Sequence, residues 1–435
     1  MSDRTGEINV GLLSFLKSKP DAAATPAAPV AADAVAVPPP AVSDETAALI
    51  TRTEIVDKRQ RLSGYRFAAA LPEPAMLDAL LAAQVPEFAQ SRLALVPISA
   101  EAVAAGLHLP LAAPHTIFLL DQLAADAVAA LRAAGSQIAL SGISLKEEDA
   151  ALLYQADLAV VSLHEHPLAE FQTLCKQLHL RHPNLKLMVD GVDTWEEQRM
   201  CLSWGASYFM GLFLTTAEHV DPDARIDQSR MTSIELLNLL RTDAELPAMI
   251  EVAKRDPGMT YQVLQWANAP VNGQATKVTS LQQAFMVLGR NQLYRGLTVS
   301  MFRLGGGANQ ERDESLLEVA LTRARFLETC SKLPQAKRDE LFLVGLLSLF
   351  DVLLGVPMAN LVGKMHLSDD IREVLLGNGG VYGPYLTMVL LLQRDKVEQA
   401  MAIAGELGLD IDSLPGVGQA AFQWAQESMK HTGAD

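Results

Sequence analysis

The sequence predicts an α/β barrel followed by an all-α half. Three observations carry this. Short apolar runs alternate with amphipathic stretches from about residue 50 to about 215, the pattern of a parallel sheet clothed in helices. Strand texture then vanishes from Thr232 onward and helical periodicity takes over. Six or more strand–helix units favour a closed (β/α)₈ barrel over an open sheet; roughly 170 residues is short for that fold, so a trimmed or irregular barrel is expected.

The first stretch, 1–49, reads as a tail. Residues 20–45 are almost all Ala, Pro, Val and Asp, with no period that would pack a core, and form a flexible tether. The apolar patch Ile8 to Leu16 reads either as a docking peptide or as a floppy terminus carrying a few apolar residues. Its acidic flank, Asp3 and Glu7, is the wrong charge order for a secretory signal.

The barrel is expected over 50–225. Its buried strands are Arg92 to Ile98, Thr116 to Leu120, Gln137 to Leu140, Leu158 to Leu163, Leu185 to Val189 and Tyr208 to Leu214. Helices such as Ala124–Ala134, Glu147–Gln155, Pro167–Arg181 and Thr194–Gly205 lie between them.

The helical half is expected over 226–435, around the stretch Asp256 to Gly289. Asp256-Pro257-Gly258 opens a helix whose apolar residues Val263, Leu264, Trp266 and Ala267 stop at Asn268-Ala269-Pro270. After a polar loop, Ser280 stands at an N-cap, and Leu281, Ala284, Phe285 and Leu288 form the stripe of a second helix closing at Gly289. Lys337–Gly355 reads as one helix, and Gly305-Gly306-Gly307 as a break between two helical clusters.

Composition excludes some functions. With 35 Lys+Arg against 51 Asp+Glu the net charge is −16, the wrong sign for nucleic acid. No apolar run is long enough for a membrane span. Three scattered cysteines make neither a disulfide framework nor a zinc site, and a cytoplasmic location is expected. His164-Glu165-His166 has alternate residues that would face one ion, but no third ligand is apparent, and a solvated loop is the better reading.

The spelling adds a resemblance. A D-P pair before a helix, "L-x-x-A-N-x-P" at Leu264 to Pro270, then "TSLQQAFMVLG" resembles the HDOD domain, a non-catalytic relative of the metal-dependent HD phosphohydrolases. "LFLVGLLSLFDVLLGVPM" and "LSDDIREVLLGNGGVYG" strengthen it. Where an active HD enzyme carries its His-Asp pair, this chain has Ser348 and Leu349, with Asp351 nearby and no neighbouring His.

Residues 52–217 resemble an EAL domain, a barrel that hydrolyses cyclic di-GMP with two divalent metals held by oxygen ligands. The signature Glu is replaced by Arg66 in Gly64-Tyr65-Arg66-Phe67-Ala68, and the Asn of "V-N-L-S" by Pro97. The Glu of "E-I-T-E" falls on Phe118, with Asp121 at the second acid, and the paired aspartates become Ser141 and Gly142. The Lys and Asp of the next motif are Val160 and Ser162; only Asp190 and Asp193 retain late acidic charge. The resemblance to a degenerate EAL barrel joined to an HDOD domain implies a pseudoenzyme that is not an enzyme, has no cofactor and no metal, and acts by contacts with other signalling proteins. It also implies cyclic di-GMP-related regulation of motility, biofilm or virulence. Two alternatives stand beside it: a non-hydrolysing cyclic di-GMP receptor in which Arg66 meets a phosphate, and a residual phosphodiesterase resting on Asp190 and Asp193.

Overall fold

The computed structural model describes residues 49–121, 123–144, 146–218, 226–269, 272, 277–303 and 309–430. The tail expected before Leu49, with its 8–16 patch, and the glycine run 305–307 lie outside the described residues.

Eight strands close into a barrel in chain order: β1 Ile50–Asp57, β2 Leu62–Ala69, β3 Leu93–Pro97, β4 Thr116–Leu120, β5 Gln137–Leu140, β6 Leu158–Ser162, β7 Lys186–Asp190 and β8 Tyr208–Met210. The expected eight-stranded barrel is present and its sheet closes, with the irregularity confined to its first connection. What is short is the connection between β1 and β2. It is a tight turn with no helix, in which the Asp57 carboxylate accepts from the Arg59 and Arg61 N–H groups (2.8 and 3.1 Å). β1 runs antiparallel to both its neighbours, β2 and β8, while β2 through β8 are parallel.

The barrel interior is filled by Ile55, Leu95, Ile117, Ala139, Leu158, Val160, Met188 and Met210. Alternate residues on the same strands point outward into a second apolar layer, which runs without a break into the core of the helical half.

The helical half begins with Gln228–Arg241, Leu246–Lys254 and Pro257–Ala267. Ser280 is the expected N-cap, accepting from the Gln283 N–H (3.2 Å), and Asp256 caps the helix that its triplet opens, accepting from the Met259 N–H (3.1 Å). Gly289, at φ 67°, divides Leu281–Ser300 into two helical pieces, as its place in the sequence suggests. Two long antiparallel partners follow, Gln310–Thr329 and Gln335–Leu347. They approach closely because position 345 has no Cβ; one there would lie 2.4 Å from the Ala324 Cα.

The single helix expected over Lys337–Gly355 is broken: it ends at Leu347 and restarts as Phe350–Leu354. Ser348 donates back to the Gly345 carbonyl (2.8 Å) and accepts from Arg323, so the turn is held by side chains where the helical ladder stops. The shorter helices Met358–Lys364, Asp369–Gly377, Gly383–Gln393 and Val397–Glu406 lead to the last, Leu414–Lys430.

That last helix and Gln310–Thr329 cover the β1–β2 hairpin from outside, the position left bare by the missing crossover helix. Phe422 is buried at this junction, edge-on to Tyr65 (5.2 Å between centroids) and Phe67 (6.2 Å) and tilted against Phe88 (5.7 Å). Beside it the buried Glu318 carboxylate accepts from Tyr65 Oη (2.6 Å), Arg92 Nη1 (2.8 Å) and Gln426 Nε2 (2.6 Å). A buried charge is tolerable because both carboxylate oxygens accept hydrogen bonds and Arg92 supplies the opposite charge.

Candidate functional site

Two places gather the residues singled out from the sequence. The first is the mouth of the barrel at the carboxyl ends of its strands. Strand register brings Arg66 beside Leu95, Pro97 beside Leu119, and Ser162 beside Asp190, all on the interior face with Val160 below them. Ser141 and Gly142 follow β5 at the same end. The Arg66 guanidinium reaches across the mouth: Nη1 donates to Asp190 Oδ2 (3.0 Å) and Nη2 to Thr53 Oγ1 (3.4 Å).

Phe118 does not belong to this ring. Its two neighbours Ile117 and Leu119 pack with the interior, so Phe118 faces outward, fully buried against the edge of His108. The expectation that it marks a site position is corrected by the two-residue period of the strand: an inward residue of β4 at this level is Leu119.

Asp193 is held in the loop after β7, where its Oδ1 accepts from the Leu212 N–H (3.0 Å). Thr194 caps the next helix in a reciprocal box with Glu197. The His164 imidazole stands 4.0 Å from Asp193 Oδ2, with both side chains about half exposed. Among the described residues no group of three or more His, Cys, Asp or Glu side chains is placed to hold a metal ion. The three cysteines are free and buried, and burial pushes each thiol up to about 12, away from nucleophilic chemistry.

The second place is a cavity of about 200 Å³ beneath the broken turn of the helical half. Ser348, Leu349 and Asp351 line it, together with Arg323, Gln393 and Arg394, and the turn Leu212 to Thr216 after β8 forms one edge. Burial raises the Asp351 carboxyl above the usual carboxylate range, opposed by the Val352 N–H at 2.9 Å.

Arg323 was not singled out from the sequence, although the signal is there. It falls on the apolar stripe Leu316, Val319, Ala320, Phe326 and Leu327 of its helix, where a charged residue is out of place. Glu54, also missed, is buried under the helical half, and burial lifts its carboxyl to about 7.

Comparison with known proteins places this geometry. The HDOD domain family matches residues 231–356. Over 225 residues the chain is 24% identical to the uncharacterized protein YuxH of Bacillus subtilis (strain 168), covering 51% of this chain and 55% of that one. Over 247 residues it is 21% identical to the cyclic di-GMP phosphodiesterase CdgJ of Vibrio cholerae serotype O1, covering 56% of each. The chain thus spans about half the length of these curated relatives.

Among solved structures it is similar to an EAL domain protein from Listeria monocytogenes EGD-e, with a TM-score of 0.34 at 17% identity, covering 39% of this chain and 87% of that one. It is also similar to Bacillus subtilis YkuI, which has an EAL domain, with a TM-score of 0.31 at 13% identity, covering 55% and 72%.

Similarity to a protein named as a phosphodiesterase overturns the expectation that this chain is not an enzyme. As for membranes, no single helix among the described residues is long and apolar enough to cross one. The chain is a closed eight-stranded barrel followed by helices that carry an HDOD domain at residues 231–356.

Proposed function

We propose that this protein is a regulator in cyclic di-GMP signalling, working through contacts with other signalling proteins made by the barrel and the HDOD helices together. In that role it would adjust motility, biofilm formation or virulence. The division 1–49, 50–225 and 226–435 belongs to the same proposal. The observation that carries it is the 247-residue similarity to a cyclic di-GMP phosphodiesterase in a chain that also holds an HDOD domain.

The surface for the nucleotide is the barrel mouth. Arg66 is the cation there, held by Asp190 and reachable from solvent, since a quarter of its side chain is exposed. A phosphate diester would draw the guanidinium away from Asp190 into a charge-assisted bond. Ser141 and Ser162 offer hydroxyl donors beside it.

Titration calorimetry of the full chain with cyclic di-GMP tests this. Saturable binding that weakens about tenfold or more in Arg66→Ala supports the mouth as the site; the absence of heat at high micromolar nucleotide removes it.

The name of the Vibrio relative favours a second reading, hydrolysis of the nucleotide at the same mouth. Asp190 and Asp193 are the carboxylates on which it would rest. Release of the linear dinucleotide in the presence of Mn²⁺ or Mg²⁺, abolished by Asp190→Ala, would establish it.

A further inference from the structure

The cavity beneath the broken turn has a sign opposite to the rest of the molecule. Its charged lining residues are Arg323, Arg394 and Asp351, two cations against one anion, in a chain whose net charge is −16.

Arg323 is the centre of it. The residue is 3% exposed, yet among the described residues it makes no ion pair. Its Nη1 donates to Ser348 Oγ (2.6 Å) and its Nη2 to Gln393 Oε1 (2.7 Å), both neutral acceptors, and its Nε has no acceptor. Arg295, the other arginine buried to this degree, is treated differently and faces Glu328 and Asp339. Burial pulls Arg323 down only to about 10, so it keeps its proton at neutral pH.

The carboxylates of Glu54 and Asp351 offset part of its charge from a distance, but neither touches it, and an anion in the cavity would supply the contacting counter-charge that a buried cation lacks here. Arg394 stands exposed at the same cavity and would supply the second guanidinium. The rest of the wall is mixed: Asn378 is polar, while Leu349, Met358, Leu386 and Leu390 are apolar. At about 200 Å³ the space is below the ~300–1,000 Å³ of sites for drug-sized ligands, which excludes a dinucleotide and favours a compact molecule.

We propose that this cavity is a binding site for a small phosphate monoester, its phosphoryl oxygens on Arg323 and Arg394 and its organic part against Leu349, Met358 and Leu386. Phosphate suits the pair because guanidinium groups donate to it in a fixed fork, and two of them match its charge. The turn after β8 forms part of the rim, so a bound monoester would touch both halves of the chain. The site is separate from the barrel mouth and does not rest on the cyclic di-GMP reading.

The test uses the full chain at constant ionic strength, titrated with phenyl phosphate and with inorganic phosphate by calorimetry and by thermal shift. Saturable binding of phenyl phosphate with a rise in Tm is expected, weakened about tenfold or more in both Arg323→Met and Arg394→Gln. Should Arg323→Met fail to fold by circular dichroism, Arg394→Gln, a change at an exposed position, carries the result alone. Absence of saturable binding by the unaltered chain would overturn the proposal, as would binding unchanged in Arg394→Gln. Benzoate binding as tightly as phenyl phosphate would also overturn it, in favour of a carboxylate site.

Discussion

At the scale of single residues, charges in this protein are defined by what faces them. Arg66 sits 3.0 Å from Asp190 in the mouth, and the pair is mutually neutralising. Arg66→Glu would replace this attraction with two carboxylates facing each other across the mouth, set further apart than the present pair by the shorter side chain but each still disfavouring ionisation of the other. We expect it to lower stability at pH 7 by about 1–2 kcal/mol, and Mn²⁺ to restore part of the loss in the variant but not in the unaltered chain. Melting curves with and without the ion report both effects; an unchanged Tm in the variant would refute the pairing argument.

Glu54 gives a pH dependence. Its folded carboxyl titrates near 7 because it is buried, against an ordinary 4.5. Below about 4.5 both folded and unfolded chains hold the proton and the stabilisation is complete. It is lost as pH rises toward about 7, a fall on the order of 3 kcal/mol. Glu54→Gln, which cannot ionise, is expected to melt above the unaltered chain at pH 8 and to show a flatter curve between pH 5 and 8; parallel curves would count against the assignment.

Much of this residue-level detail was not legible beforehand. Asp190 and Arg66 could be placed at strand ends, but their pairing is a contact between strands 124 positions apart. Phe118 shows the opposite failure, since a motif aligned one residue out turns the side chain to the other face of the sheet.

At the scale of elements, the helices were legible and the first hairpin was not. Periodicity located nearly every helix from Gln228 to Lys430 because each buries one stripe. β1 is mostly polar, with Thr51, Arg52, Thr53, Glu54 and Asp57, and β2 carries Arg66, which hides the strand pattern. The main partners of Arg52 are distant in sequence: it donates to the nearby Ile50 carbonyl but also to Gln419, and lies over the Phe422 ring at 4.4 Å from its centroid. Likewise, the break at Ser348 depends on Arg323 arriving from another helix.

The Leu414–Lys430 helix should therefore matter to the barrel itself. Phe422→Ala, which empties the aromatic junction, is expected to cost about 3–5 kcal/mol, with denaturant midpoints as the measure. Glu318→Gln, which leaves Arg92 without its charge partner, is expected to cost a comparable ~3 kcal/mol or more. A loss below ~1 kcal/mol in both would mean the two halves are only loosely joined.

At the scale of the whole molecule, one apolar layer runs from the outside of the barrel through the helical half. Calorimetry is expected to show a single unfolding transition with equal calorimetric and van't Hoff enthalpies; two resolved transitions would show that the halves unfold separately. The order barrel-then-helices was readable because texture changes abruptly near Thr232. Their mutual docking was not, because it is written in residues such as Tyr65, Arg92 and Gln426 that are unremarkable in isolation. Nor did the altered motif positions decide catalysis: they suggested inertness, and the similarity to a protein named as a phosphodiesterase speaks against that expectation.

The bare flank of the β1–β2 hairpin has a consequence for how such genes recombine. A chimera spliced near residue 225, with this barrel grafted onto a foreign C-terminal module, would strip the Phe422 ring from the Tyr65, Phe67 and Phe88 cluster and turn that cluster toward water. Such an exchange is expected to keep the barrel stable only where the donor brings its own equivalent of Phe422.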